Sequence, residues 1–264
     1  MSKTYKLVAT GMLAACALIL QIANPILGIN TGFGMTIDLV GVPIVLALFM
    51  FGVESSIEVL ALATLFIAIF APTGIVGALM KFAATAPVII FAALNMARKE
   101  KKPGTLANGL LLLAGIVASA LIFALGGWIY SALAGTSLLV FGLLPVLAMA
   151  GALFIVQKIG GGKKHDYRIF ENSRSFLVVV AAAVLLRGVA MIIANYYFAG
   201  PLYFKLSPEE FVGYISSTDI LVFGKGSAWQ IVVFVFNAIQ AIAEIAVAWT
   251  LAYKFNLAKR YSDS

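Results

Sequence analysis

A chain of 264 residues that is 62% hydrophobic and only 11% charged, with a mean hydropathy of +1.06, carries more apolar surface than a soluble core of that length hides, and reads as a polytopic membrane protein. Its formal charge of +7 does not mark a nucleic-acid binder, because the basic residues fall in short clusters between apolar runs, as in membrane loops. One cysteine, Cys16, and one histidine, His165, exclude an internal disulfide framework and argue against a Cys/His metal site, so no metal is expected.

Apolar runs bounded by charges, Gly, Pro or Asn predict eight spans, at roughly 6–27, 36–52, 54–71, 74–97, 105–133, 137–158, 175–199 and 227–255. The expected fold class is therefore all-α, a polytopic bundle of membrane helices forming one domain over 1–264. In the first run "LAAC" (Leu13 to Cys16) follows Lys3 and Lys6 and looks like a lipoprotein cleavage box. The apolar run continues to Leu27, long enough to span rather than to be cut. The second and third runs are short and joined by "FGVE", so a tight hairpin is expected. Between the last two spans, "LSPEEF" places Ser207 as N-cap, Pro208 at the first helical position and Glu210 three residues after the cap. The 200–226 loop thus holds a short helix, either a lid on a site or only an ordered connection.

Orientation follows from Lys and Arg. With the N-terminus inside, fourteen of the eighteen basic residues lie on the cytoplasmic side, including Lys3, Lys6, "RKEKK" (Arg98 to Lys102), Lys163, Lys164, Lys259 and Arg260. The expected location is the cell (plasma) membrane, multi-pass, with both termini cytoplasmic.

Ionisable residues inside spans face a partner or a cavity. With a rise of about 1.5 Å per residue, Arg187 lies ~18 Å and Glu244 ~15 Å from the inner ends of their antiparallel spans, which points to a structural ion pair. Gln21, Lys81, Asn195, Asn237 and Gln240 fall at roughly 21 to 30 Å by the same rise, and Asn24 and Asp38 also lie near the outer side. Two readings stay open for them: interhelical glue, at about 1 kcal/mol per residue, or the lining of a pocket open to the exterior. No reactive constellation accompanies them. "GGGKK" (Gly160 to Lys164) lacks the Walker spacing, and there is no Ser/His/Asp set, no HExxH and no carboxylate pair at one depth. No catalytic residue, no enzyme activity and no cofactor is expected.

Three stretches then resemble one family. "VFNAIQAIAEIAVAWTLAYK" is similar to its final helix, "ANYYFAGPLYF" to its penultimate helix and turn, and "IDLVGVPIVLALFMFG" to the Asp-x-x-x-x-Pro stretch between its second and third helices. The first helix, "KLVATGMLAACALIL", has small residues at the spacing this family uses for docking. The family is that of the substrate-binding (S) subunits of energy-coupling factor (ECF) transporters, the riboflavin-type members being most similar. The resemblance implies a membrane-embedded subunit that captures riboflavin or a similar small water-soluble vitamin from outside. Its implied partners are that vitamin, the lipid bilayer, a transmembrane coupling subunit and two ATPase subunits. Asn195 and Asn237 match ligand-contacting positions of the family; Gln240 stands where the family usually has lysine, and Lys81, at similar depth, is the expected substitute, with Asp38 completing the ligand-binding set. Gly11 and Ala15 are the expected docking positions for the partner helix. The family has six helices, so the hairpin near 105–158 is extra, and the third span has "LATL" (Leu62 to Leu65) where the family has a Lys-Asn pair. A self-sufficient secondary transporter and a polytopic scaffold are the alternative readings.

Overall fold

The computed structural model describes residues 3–98 and 167–262. Among them are eight α-helices: α1 (Lys3–Leu27), α2 (Gly41–Phe51), α3 (Val53–Phe70), α4 (Gly74–Arg98), α5 (Ser173–Ala194), α6 (Pro208–Ser217), α7 (Trp229–Trp249) and α8 (Leu257–Ser262). Wider π-helical turns extend α5 over Asn195–Phe204 and α7 over Thr250–Lys254. The protein is an all-α helical membrane protein. Four of its described helical segments, Thr4–Leu27, Val53–Phe70, Phe176–Phe204 and Trp229–Lys254, are long and apolar enough to cross a membrane. The expected spans at 105–133 and 137–158 lie outside the described residues, as do "GGGKK" and His165.

The second expected span is shorter than its apolar run. Thr36–Ile37 is a strand, β2, that pairs antiparallel with β1 (Ile29–Asn30), and the helix begins only at Gly41. Eleven residues rise about 16 Å, half of a hydrocarbon core. Every residue of α2 is buried, packed against α1, α3 and α7. Around it the remaining long helices run in contact from α1 to α3, α3 to α4, α4 to α5 and α5 to α7. Apolar side chains fill the bundle alongside this half-length helix. Phe49, Leu48, Val179, Ile245 and Phe170 pack there. Beyond the N-terminus of α2 the space passes to polar residues.

That end is roofed by two pieces. The β1–β2 hairpin turns through Gly32 and Gly34, at φ of 94° and 88°, where a left-handed backbone favours glycine. It buries Phe33 against Phe236, with ring centroids 5.9 Å apart. The second piece is α6, whose Phe211 and Ile215 join the same apolar cluster as Phe33, Trp229 and Phe236. Gly200 brings the π-helical end of α5 onto α6, since a side chain there would meet Phe211 at 2.8 Å. The wider winding at 195–204 runs through Pro201, which has no N–H to close an ordinary α-helical turn.

The start of α6 is as read from sequence. Glu210 N–H donates to the Ser207 hydroxyl at 3.2 Å, and Ser207 N–H donates to the Glu210 carboxylate at 2.7 Å. These Ser207 donors hold the Glu210 carboxyl below its ordinary value. Because the folded-state value is depressed, the contribution is complete above the ordinary carboxylate value and is lost as pH falls through the folded one. Hydrogen exchange is therefore expected to show α6 amides less protected in acid. Ser207→Ala removes the hydroxyl while the backbone N–H at 207 still holds the Glu210 carboxylate, so the acid dependence persists in weaker form and exchange in the first turn of α6 speeds about fivefold, the equivalent of ~1 kcal/mol for a hydroxyl cap. Unchanged exchange in the variant would contradict the cap's role.

Candidate functional site

Four charged side chains from four elements meet beyond the N-terminus of α2. Arg187, on α5, places Nη1 2.6 Å from Glu244 Oε2 on α7, so the ion pair expected from matching depths is present. It is half of a longer chain. Lys81 Nζ, from α4, lies 2.9 Å from Glu244 Oε1 and 2.9 Å from Asp38 Oδ1. Asp38 follows β2, and its Oδ1 also accepts from Val40 N–H at 2.9 Å. Lys81, Arg187 and Glu244 are each at least nine-tenths buried. The order is Arg187, Glu244, Lys81, Asp38, with signs alternating.

Burial of such groups is costly unless each charge is matched and its remaining hydrogen-bonding atoms are occupied. Here the central carboxylate takes three donors, since Gln240 Nε2 adds a bond to Oε1 at 3.0 Å. Asn237 Oδ1 accepts from Arg187 Nε at 3.3 Å. Gly41, the first residue of α2, makes room for the cluster. A Cβ at that position would overlap the Glu244 carboxyl group. The carboxylate thus rests against the positive end of α2, where the helix dipole favours negative charge.

Against this cluster lies a cavity of about 160 Å³. All five residues of the expected ligand set, Asp38, Lys81, Asn195, Asn237 and Gln240, line it, together with Gln21, Asn24 and Arg187. Its apolar wall is soft and aromatic: Met35, Met80, Met191, Phe33, Tyr203 and Phe204. The depth match made on sequence therefore corresponds to one place in the fold. The 200–226 loop forms the roof through α6, while Tyr203 and Phe204, just before it, reach the cavity itself. The β1–β2 hairpin contributes more of the lining, through Phe33, Gly34, Met35 and Thr36. Sequence reasoning missed it. Its one signal is "TGFGM", two glycines around an aromatic residue, which reads as a turn.

The five lining residues do not have the same freedom. Lys81 is engaged by two carboxylates, and Asn237 Nδ2 donates to Val233 O at 2.8 Å while its Oδ1 serves Arg187. Asn195 Nδ2 donates to Met191 O at 2.8 Å. That partner and the carboxylate facing Gln240 are acceptors only, so both amides must turn their nitrogens toward them. The Asn195 Oδ1 and Gln240 Oε1 carbonyls are left without partners among the described residues.

On α1, Gly11 and Ala15 are exposed, with Leu7, Val8, Met12, Ile19, Ile22 and Ile26 around them. This helix is the least covered of the four long apolar segments. Cys16 is exposed on it. Among the described residues no group of three or more His, Cys, Asp and Glu side chains is placed to hold a metal.

Comparison with protein-family models, with curated proteins and with solved structures gives no match to this chain.

Proposed function

We propose that this protein is the membrane-embedded capture subunit of an ECF-type uptake transporter, taking a small water-soluble vitamin from the outer side of the plasma membrane. In this reading both termini are cytoplasmic, and the cavity faces outward beneath the hairpin and α6. Energy comes from a separate coupling subunit and two ATPase subunits, with the open Gly11 and Ala15 face of α1 as the docking surface. No residue is catalytic and no resident cofactor is involved. The observation that carries the reading is the convergence of amide and charged side chains from α1, α4, α5 and α7 on one cavity in an otherwise apolar bundle. Glue between helices needs pairs, whereas the side-chain carbonyls of Asn24, Asn195 and Gln240 have no partner among the described residues.

Size limits the ligand. An engineered cavity of about 150 Å³ takes benzene, so this one takes a single substituted ring as it stands. The three-ring flavin of riboflavin requires the hairpin and Phe204 to withdraw.

A self-sufficient secondary transporter is favoured by one observation, the buried carboxylates beside the cavity, since such groups often serve coupling ions. One experiment separates the readings. Detergent-purified protein is heated with a panel of water-soluble vitamins, and then reconstituted alone in vesicles for uptake of any that stabilise it. The capture reading expects stabilisation by one vitamin and no concentrative uptake without the ATPases. Ion-driven uptake by the chain alone supports the second reading, and stabilisation by none of the panel removes the first.

A further inference from the structure

The charge arithmetic of the cluster bears on what the cavity holds. Three charged residues line it, Asp38, Lys81 and Arg187, and Glu244 stands directly behind them. Two cations face two carboxylates, so the set sums to zero before any ligand arrives. Asp38 is not a loose counterion that a ligand displaces. Its Oδ1 is held by Val40 N–H as well as by Lys81, at the entry to a helix buried on all sides. With the charges already matched, what the cavity still offers is hydrogen bonding: the carbonyls of Asn195 and Gln240, and the Nη2 edge of Arg187, which takes no partner among the described residues.

We infer that the site selects an electroneutral ligand, a single-ring heterocycle whose polar edge both donates and accepts, such as a carboxamide, a lactam or a ring hydroxyl. The inference rests on the capture reading and narrows it. An anionic ligand would enter a closed set and leave one buried negative charge uncompensated, which is strongly unfavourable. A cation is refused by the same count.

Matched pairs that differ in charge test it. Nicotinamide against nicotinate, pyridoxine against pyridoxal 5′-phosphate, and riboflavin against its 5′-phosphate are titrated onto the purified protein. The neutral member of the pair that binds is expected to be preferred by more than about a hundredfold. An anionic member bound as tightly as its neutral partner overturns the inference and leaves capture standing. If no pair binds, the charge count is decided without a vitamin by melting the protein in formate at constant ionic strength. Wild type is expected to be indifferent to formate, while Asp38→Asn, one carboxylate short, gains stability from it. Equal responses in the two proteins contradict the closed set. Should Asp38→Asn not fold, the double variant Asp38→Asn with Lys81→Met restores the balance and is expected to fold better than either single variant; a double variant no better than the worse single one also overturns it.

Discussion

Replacing Glu244 with alanine is expected to lower stability by about 3–5 kcal/mol, more than any other single truncation in the bundle. The reason lies in the sharing of one carboxylate. Both Lys81 and Arg187 rest on it, and its loss leaves two buried cations with Asp38 alone. Glu244→Gln keeps the shape and the Gln240 neighbour but removes the charge, so it falls between wild type and alanine. A double variant, Glu244→Gln with Arg187→Met, recovers part of the loss because the charges again balance. The check is a denaturation series on purified protein in one detergent. Equal stability of Glu244→Ala and wild type would show that the cluster contributes nothing to the fold.

Gly41→Ala is the second large effect, and it reaches the same cluster from the other side. An alanine adds one methyl group and ordinarily favours a helix by roughly 0.5–1 kcal/mol over glycine. Here that methyl occupies the place of the Glu244 carboxyl group. Either α2 backs away or the carboxylate leaves Lys81 and Arg187, and both outcomes exceed the propensity gain. Overpacking alone costs about 1–3 kcal/mol, and displacing the carboxylate adds to it. A loss of stability in Gly41→Ala, largely absent when Glu244 is already glycine or alanine, is the expected result. Destabilisation of the same size in both backgrounds would place its origin elsewhere on α2.

The cluster was half legible in the sequence. Arg187 and Glu244 fall at equal depth on two long, unbroken helices, where a rise of about 1.5 Å per residue carries over many turns. Lys81 could be placed by the same counting, but not its partners, because Asp38 sits on a loop whose path no periodicity describes. Lys81 lines the cavity as its depth suggests, and what the sequence does not carry is that two carboxylates hold it there. The second expected span was overdrawn for a related reason. "MTIDLV" is apolar enough to join the helix that follows, and a strand of two residues leaves no alternation to read. Asn195 and Gln240 were found by depth and type. That their oxygens rather than their nitrogens are free depends on the Met191 carbonyl and Glu244, and a sequence does not carry that geometry.

The cap of α6 was legible in full, since Ser207, Pro208 and Glu210 form a local pattern that needs no distant partner. Its packing was not, because Phe211 and Ile215 are buried by residues far away in the chain, Phe33 and Trp229 among them.

The central claim, that the amide-lined cavity captures a small vitamin, is tested most directly by equilibrium binding of the panel member that stabilises the wild type, compared with Asn195→Leu and Gln240→Leu. Each variant removes a carbonyl open to the cavity together with the amide donor to Met191 O or to Glu244, so melting is measured beside binding, and in the folded variants affinity is expected to fall by about tenfold or more, the equivalent of one lost hydrogen bond in a buried site. Unchanged affinity in both variants, or saturable binding that persists with the cavity blocked by Ala84→Phe, would contradict it.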